Sequence, residues 1–204
     1  MIKIRSNEYL KRLELTNYRK SLRNYLMTSR FNNKTLLENE RYIKSRNDIG
    51  CIYCTPCPVS ELIPLGSILF VLEMNNDSNK INGIGMISNI VKIGKHSVYE
   101  ENNYNRYNYV GKYRINRCDM TELEEMVMKI FDSLCFYGNK HMKRGQGIKM
   151  FPLEMLYRCQ KKIDLIEVVG EMFKCRYSSN ISKEYKKEKE EKLYKCLYED
   201  NIKA

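Results

Sequence analysis

The sequence predicts an α/β protein of the α+β type, in which helices pack on a small, curved or barrel-like β-sheet. Three observations lead to this class. Apolar residues recur at helical spacing near the start of the chain and again after residue 118. The segment between, residues 50–117, instead has short apolar runs separated by Asn, Gly and Ser, which is typical of short strands. Finally, 204 residues suffice for one domain with extensions, and its core needs neither disulfides nor a metal.

The N-terminal segment is predicted to be helical and basic. Residues 7–29 place apolar side chains near three-and-four spacing with Lys and Arg between them, and residues 32–43 add one or two turns capped by Asn33 or Thr35. Residues 1–50 contain 12 Lys and Arg against 5 Asp and Glu, so they hold +7 of the net charge of +11. This asymmetry favours a polyanionic partner such as nucleic acid. The alternatives are a solvated basic helix and a lysine excess that reflects an AT-rich genome.

The middle of the chain is predicted to form four strands. Their sequences are CIYCT, SILFVLEM, NGIGMISNIV and YVGKYRI, and NNDSNK between the second and third is a hairpin turn by composition. Gly83 and Gly85 lie within the third run. Glycine inside a strand indicates a β-bulge or a close approach of the backbone to a ligand.

The last third of the chain is predicted to be helical. Residues 119–138 begin with a capping pattern at Asp119 or Thr121 and end at a glycine. Residues 152–173 start with proline, which is favoured in a first helical turn, and continue the helical spacing. The charged tail, residues 182–200, has one apolar face. It is interpreted as a solvated terminal helix or a frayed end.

The sequence contains no convincing catalytic or metal-binding constellation. Cys51, Cys54 and Cys57 have a spacing that could hold zinc, but a structural site requires four ligands and no second pair follows. His96 and His141 stand alone, without a nucleophile nearby. We therefore interpret the cysteines as strand residues and expect a protein that is not an enzyme and has no cofactor or metal.

A tyrosine-rich stretch, YNRYNYVGKY, precedes the last predicted strand. Its first half is too polar for a core strand. Exposed tyrosines suit stacking on nucleic-acid bases, which contributes roughly 1–3 kcal/mol per base. The alternative is the general tyrosine enrichment of an AT-rich genome, since the chain has 16 tyrosines.

Five segments, taken in order, resemble the YTH domain, the reader of N6-methyladenosine in RNA within the wider PUA-like and EVE group of modified-base readers. They are YIKSRND, GCIYCTP, ILFVLEMNNDSNKINGIGMISN, YNRYNYVGKYRI and NKHMKRGQGIKMFP. The resemblance implies a YTH-like domain over residues 41–160. Residues 1–40 would then be a basic helical extension, and residues 161–204 a C-terminal helical extension.

The resemblance also implies a cage of three aromatic side chains around the methylated base. The strand tryptophan of the family matches Tyr53, and its two loop tryptophans match Tyr104 and Tyr109. The backbone carbonyl that accepts the methylated N–H matches Cys54. Phenols replace indoles at all three cage positions, so the cage would bind more weakly or accept a different modified nucleotide.

Two further groups of residues follow from the same resemblance. The polar segment that meets the base edge matches Lys44, Ser45, Asn47 and Asp48. The arginine that meets RNA phosphate matches Arg144, with Lys143 and Lys140 beside it.

Together these observations predict a non-enzymatic RNA-binding protein that reads a methylated adenosine in single-stranded RNA through a tyrosine cage. The alternative is an interaction subunit in which a degenerate PUA-like fold binds a protein partner through the basic N-terminal helices. No apolar run approaches a membrane span, and the start of the chain lacks the apolar region of a signal peptide. We therefore expect the protein in the cytoplasm or the nucleus, with no membrane partner.

Overall fold

The computed structural model describes residues 2–94, 96–179 and 181–198, with side chains from residue 8 onward. This part of the chain contains six α-helices and seven β-strands. The helices are α1 (Ile2–Ser21), α2 (Asn33–Lys44), α3 (Glu122–Phe136), α4 (Leu153–Cys159), α5 (Leu165–Tyr177) and α6 (Lys183–Tyr198). The strands are β1 (Asn24–Phe31), β2 (Cys51–Thr55), β3 (Ile68–Asn75), β4 (Lys80–Ser88), β5 (Tyr107–Gly111), β6 (Tyr113–Asn116) and β7 (Lys149–Met150).

The strands form two sheets, which confirms the mixed α/β class. The larger sheet has the order β6-β4-β3-β1-β7, and β1 and β3 are its parallel pair. The smaller sheet pairs β2 with β5 in antiparallel register. The larger sheet is not closed into a barrel, so the barrel-like alternative is wrong.

A bend at Lys112 connects the two sheets. The segment predicted as one strand, YVGKYRI, runs as β5 along the smaller sheet and as β6 along the larger one. Gly111, the last residue of β5, lets the chain pass close to β4 and β2 at this bend. A Cβ at Gly111 would clash with the carbonyl oxygen of Met86 and would lie 2.8 Å from Cys51 Sγ.

Strand β1 corrects the predicted helix over residues 7–29. Helix α1 ends at Ser21, and β1 then runs between β3 and β7 with most of its residues buried. A strand buried on both faces shows no period-two alternation, so its apolar residues could be fitted to a helical pattern. Residues 1–40 therefore include a central strand of the sheet and are not only a helical extension.

The other helix predictions are largely confirmed. Helix α2 begins one residue earlier than predicted, with Asn32 as its N-cap in a capping box with Thr35. Helix α3 has Thr121 as its N-cap, one of the two predicted candidates. The predicted helix over residues 152–173 is divided into α4 and α5, because the side chain of Asp164 accepts the first backbone N–H groups of α5.

The larger sheet carries a hydrophobic core on each face. Phe70 and Leu72 of β3 face the helical layer, where Phe70 stacks on Phe173 of α5 with ring centroids 5.4 Å apart. Leu69 and Val71 face the smaller sheet and α2. Helix α5 thus packs on one face of the sheet. None of the described helices has the length and apolar character needed to cross a membrane.

Candidate functional site

A cavity of about 260 Å³ lies where the parallel strands β1 and β3 end. Ligands of open α/β sheets commonly bind beyond the carboxyl ends of such strands. Six segments line it: the end of β1, the first turn of α2, β2 at Cys54, the β3–β4 turn, the loop of residues 99–106 before β5 (the tyrosine loop) and the loop of residues 144–148 before β7 (the glycine loop). The lining residues are Ser29, Arg30, Phe31, Asn32, Thr35, Cys54, Asn76, Tyr99, Glu101, Tyr104, Gly145, Gln146 and Gly147.

The glycine loop forms one wall because its backbone has conformations that favour glycine. Gly145 has φ +114° and Gly147 has φ +66°. A side chain at Gly147 would also clash with the hydroxyl of Thr55. These backbone conformations explain the two glycines of the RGQG sequence.

Two buried polar atoms of the cavity residues have no hydrogen-bond partner among the described residues. They are Nη1 of Arg30, a donor, and Oδ1 of Asn76, an acceptor. One other group of each side chain is fixed, since Arg30 Nε donates to the Met142 carbonyl and Asn76 Nδ2 donates to the Lys143 carbonyl at 3.1 Å. Burial lowers the pKa of the Arg30 guanidinium. An unpaired buried polar group costs free energy, so both atoms indicate a place for a polar ligand.

An aromatic wall stands beside these polar atoms. Tyr104 of the tyrosine loop meets Tyr99 edge to face, with ring centroids 6.3 Å apart and an interplanar angle of 81°. Tyr99 is buried, and its hydroxyl accepts a hydrogen bond from Asn39 Nδ2 at 3.2 Å. Burial also raises the pKa of Tyr99. Tyr104 is half-buried, which leaves part of its ring open to the cavity.

Tyr53, the first predicted cage residue, lies in the core instead of lining the cavity. Its side chain is 0% exposed, and its hydroxyl donates to Glu73 Oε1 at 2.7 Å. Arg114 holds the same carboxylate, with Nη2 2.6 Å from Oε2. Burial, reinforced by the charge of Glu73, raises the pKa of Tyr53. Gly85 of β4 makes the room, because a Cβ there would lie 2.8 Å from the Tyr53 ring.

Tyr109 is buried beside Tyr53. The two residues are cross-strand partners of β5 and β2, so their side chains extend from the same face of the smaller sheet. Tyr109 is 1% exposed, and its hydroxyl accepts the backbone N–H of Val59 at 2.9 Å. The three predicted tyrosines therefore do not form an open cage. The face that carries two of them packs against the larger sheet.

Of the predicted base-edge residues, one lines the cavity and four do not. Cys54 lines the cavity, and burial raises the pKa of its thiol to about 12. Four others are exposed at the end of α2 or just after it, outside the cavity lining: Lys44, Ser45, Asn47 and Asp48. Ser45 Oγ donates to the Tyr42 carbonyl. The chain reaches the cavity at the start of α2, about one helix length before the segment that the resemblance selected.

Of the predicted phosphate residues, Lys143 and Arg144 directly precede Gly145 of the glycine wall. Arg144 and Lys140 are exposed, and the Lys143 carbonyl accepts a hydrogen bond from Asn76. Their contact with phosphate stays a prediction.

Sequence reasoning missed Ser29, Arg30, Asn32 and Asn76 as cavity residues. One signal was present. The sequence TSRFNN places polar residues directly after an apolar run and before a helix start, where the end of a parallel strand meets a helix N-terminus.

The cysteine triplet consists of strand and loop residues. Cys51 Sγ is buried 3.4 Å from the carbonyl oxygen of Tyr113, whereas Cys57 is exposed. Within residues 2–94, 96–179 and 181–198, no three His, Cys, Asp or Glu side chains are grouped so that they could hold a metal ion.

Comparisons with protein-family models, with curated proteins and with solved structures found no match.

Proposed function

We propose that this protein binds single-stranded RNA without catalysing a reaction, and that one base, a methylated adenine, enters the cavity beside Tyr104. The observation that carries the proposal is the combination of an open aromatic ring with two unused buried polar atoms, Arg30 Nη1 and Asn76 Oδ1. The volume of about 260 Å³ lies just below that of sites for drug-sized ligands, which is roughly 300–1,000 Å³. This size suits one base better than a stacked pair.

A preference for the methylated base follows from counting donors. Asn76 Oδ1 is an acceptor that can satisfy the single N–H of a methylated amine. An unmethylated amine has a second N–H, and leaving it unpaired against the tyrosine ring costs about 1–3 kcal/mol. Burial of the methyl group adds about 0.8 kcal/mol. Together these terms favour the methylated base by at least about 10-fold.

The charge of the protein supports RNA as the source of the base. The net charge is +11, and the exposed Arg144 directly precedes Gly145 of the glycine wall. A cation so placed attracts phosphates without reading sequence. A base enters a cavity of this kind only after it leaves its stack, which favours single strands.

The test is a titration of a short methylated RNA with wild type and Tyr104→Ala. The variant should lose about 1–3 kcal/mol of binding free energy, because it removes the stacking wall. Tyr194→Ala is the matched control, since Tyr194 is exposed on α6 in the helical layer. Equal affinities for Tyr104→Ala and the control would contradict base stacking at this wall.

A specific feature of α1 favours the second candidate, a protein partner for the basic helix. Tyr9, Leu10 and Leu13 are exposed by 67%, 53% and 45%, beside the cations Lys11 and Arg12. Replacement of the two cations by Gln separates the candidates. Reduced RNA affinity with a smaller salt dependence would assign the helix to RNA, and unchanged affinity would assign it to a protein.

A further inference from the structure

The Arg30 guanidinium differs from other partly buried arginines of this protein. Arg114, Arg117 and Arg176 each form an ion pair with a carboxylate, at 2.6, 2.7 and 2.6 Å. Arg30 has no carboxylate within 4.0 Å in the described part of the chain. One of its terminal nitrogens is buried without a hydrogen-bond partner there.

A guanidinium in this state is ready to bind an anion. Removing a cation from water is costly unless an opposite charge compensates it. The planar fork of arginine matches phosphate oxygens, and such charge-assisted bonds are stronger than neutral ones. Arg30 lines the cavity, so an anion bound there would compensate its charge.

The surroundings of Arg30 are polar. Asn32 and Thr35 at the N-terminus of α2 line the same cavity, and the N–H groups of Asn33 and Thr35 there are already bonded to Asp77 Oδ2 and Asn32 Oδ1, both at 2.8 Å. The phosphate is therefore assigned to the Arg30 guanidinium and not to the helix end. Gly145 lies beside the guanidinium, since a Cβ there would be in ordinary contact with Arg30 Cζ at 3.7 Å. One carboxylate also lines the cavity, that of Glu101, and it is exposed.

We propose that Arg30 forms a phosphate subsite, which holds a phosphate group of the nucleotide whose base occupies the cavity. The identification of that nucleotide rests on the proposed function, whereas the anion site rests on Arg30 itself. Two sources share this chemistry: a terminal phosphate monoester and a phosphodiester within the RNA chain. The monoester carries more negative charge, about −1.5 to −2 at neutral pH.

The experiment is an NMR titration that follows the Arg30 side-chain N–H and the amides of Gly145 and Gly147. Adenosine 5′-monophosphate, adenosine and inorganic phosphate are the probes, at constant ionic strength. We expect wild type to bind the monophosphate at least 10-fold more tightly than adenosine. Arg30→Gln should abolish this preference for the monophosphate. Arg30→Lys should keep part of the preference, and Arg144→Gln should keep most of it. Equal affinity of wild type for the monophosphate and for adenosine, or a preference for the monophosphate that survives Arg30→Gln, would overturn the proposal.

Folding of the variants is checked independently by their amide spectra and their Tm. Because Arg30 lacks a counter-ion, Arg30→Gln should leave the Tm close to that of wild type. If the glutamine variant fails to fold, Arg30→Lys decides, since it keeps the charge and removes the fork. A monophosphate-to-adenosine ratio in Arg30→Lys equal to that of wild type would overturn the assignment to the arginine fork.

Short RNAs with a 5′-phosphate, with a 5′-hydroxyl, and with the methylated adenosine at an internal position distinguish the two phosphate sources. Their result also separates the two proposals. Arg30-dependent phosphate binding without preference for the methylated base would remove the reader function and keep the subsite. Methyl preference with an affinity independent of Arg30 would keep the reader function and remove the subsite.

Discussion

Gly85→Ala should destabilise the protein by about 1–3 kcal/mol, because it overpacks the contact between the two sheets. The added Cβ would lie 2.8 Å from both Cys51 Sγ and the Tyr53 ring, and closer still to the Tyr53 hydroxyl oxygen. That hydroxyl is fixed by Glu73 at 2.7 Å, so it cannot move without loss of a buried hydrogen bond. Urea unfolding measures the change. Gly170→Ala in α5 is the control, since its Cβ would meet the Phe70 ring at an ordinary 3.7 Å.

A double-mutant cycle locates the clash. Tyr53→Phe alone should cost about 1–3 kcal/mol, because Glu73 loses a donor in the core. The double variant Gly85→Ala/Tyr53→Phe lacks the hydroxyl oxygen that the added Cβ meets. Its loss of stability should therefore be smaller than the sum of the two single losses by at least about 0.5 kcal/mol. Strict additivity, or a Gly85→Ala protein as stable as wild type, would refute the placement of Tyr53 between the sheets.

Two further predictions concern stability. Burial raises the pKa of the Cys51, Cys54 and Cys135 thiols from 9.0 to about 12. As the pH rises, these thiols therefore lose their protons in the unfolded chain before they do in the folded protein. The free energy of unfolding should fall above about pH 9, by up to about 1.4 kcal/mol per pH unit for each thiol. A free energy of unfolding that stays constant from pH 8 to 10.5 would contradict this. Asp164→Ala should cost about 0.5–2 kcal/mol through loss of the N-cap of α5, measured by urea unfolding; Asp164→Asn, which keeps an acceptor, should cost less.

Local signals in the sequence were sufficient to predict several elements. The predicted cap of α3, Thr121, is a side chain that bonds a backbone group three residues away, so the sequence itself contains both partners. The cap of α2 is Asn32 and not the predicted Asn33 or Thr35. The turn between β3 and β4 is likewise local, with Asn79 at a positive φ of 54°. Such features depend little on the rest of the fold.

The burial of the tyrosines could not be predicted from local pattern. The sequence CIYCT fits either a pocket wall or a core strand, and the structure buries all five of its residues. Which alternative holds depends on Gly85, about thirty residues later, where a missing side chain admits the Tyr53 ring. The burial of Tyr109 then follows from its register with Tyr53.

The cavity is equally non-local. Arg30, Tyr104 and Gly145 come from three distant segments, and β1 brings the first of them into place. The resemblance assigned the base-edge residues to the end of α2, whereas the start of α2 lines the cavity. Contact of the end of α2 with a base stays a prediction.

The central claim is that the cavity takes a methylated adenine from single-stranded RNA. The most direct test is an equilibrium titration of the wild-type protein with two RNA oligonucleotides of the same sequence, one with N6-methyladenosine and one with adenosine. The donor count at Asn76 and the aromatic wall predict at least about 10-fold tighter binding of the methylated RNA. Equal affinity for the two oligonucleotides would contradict the claim.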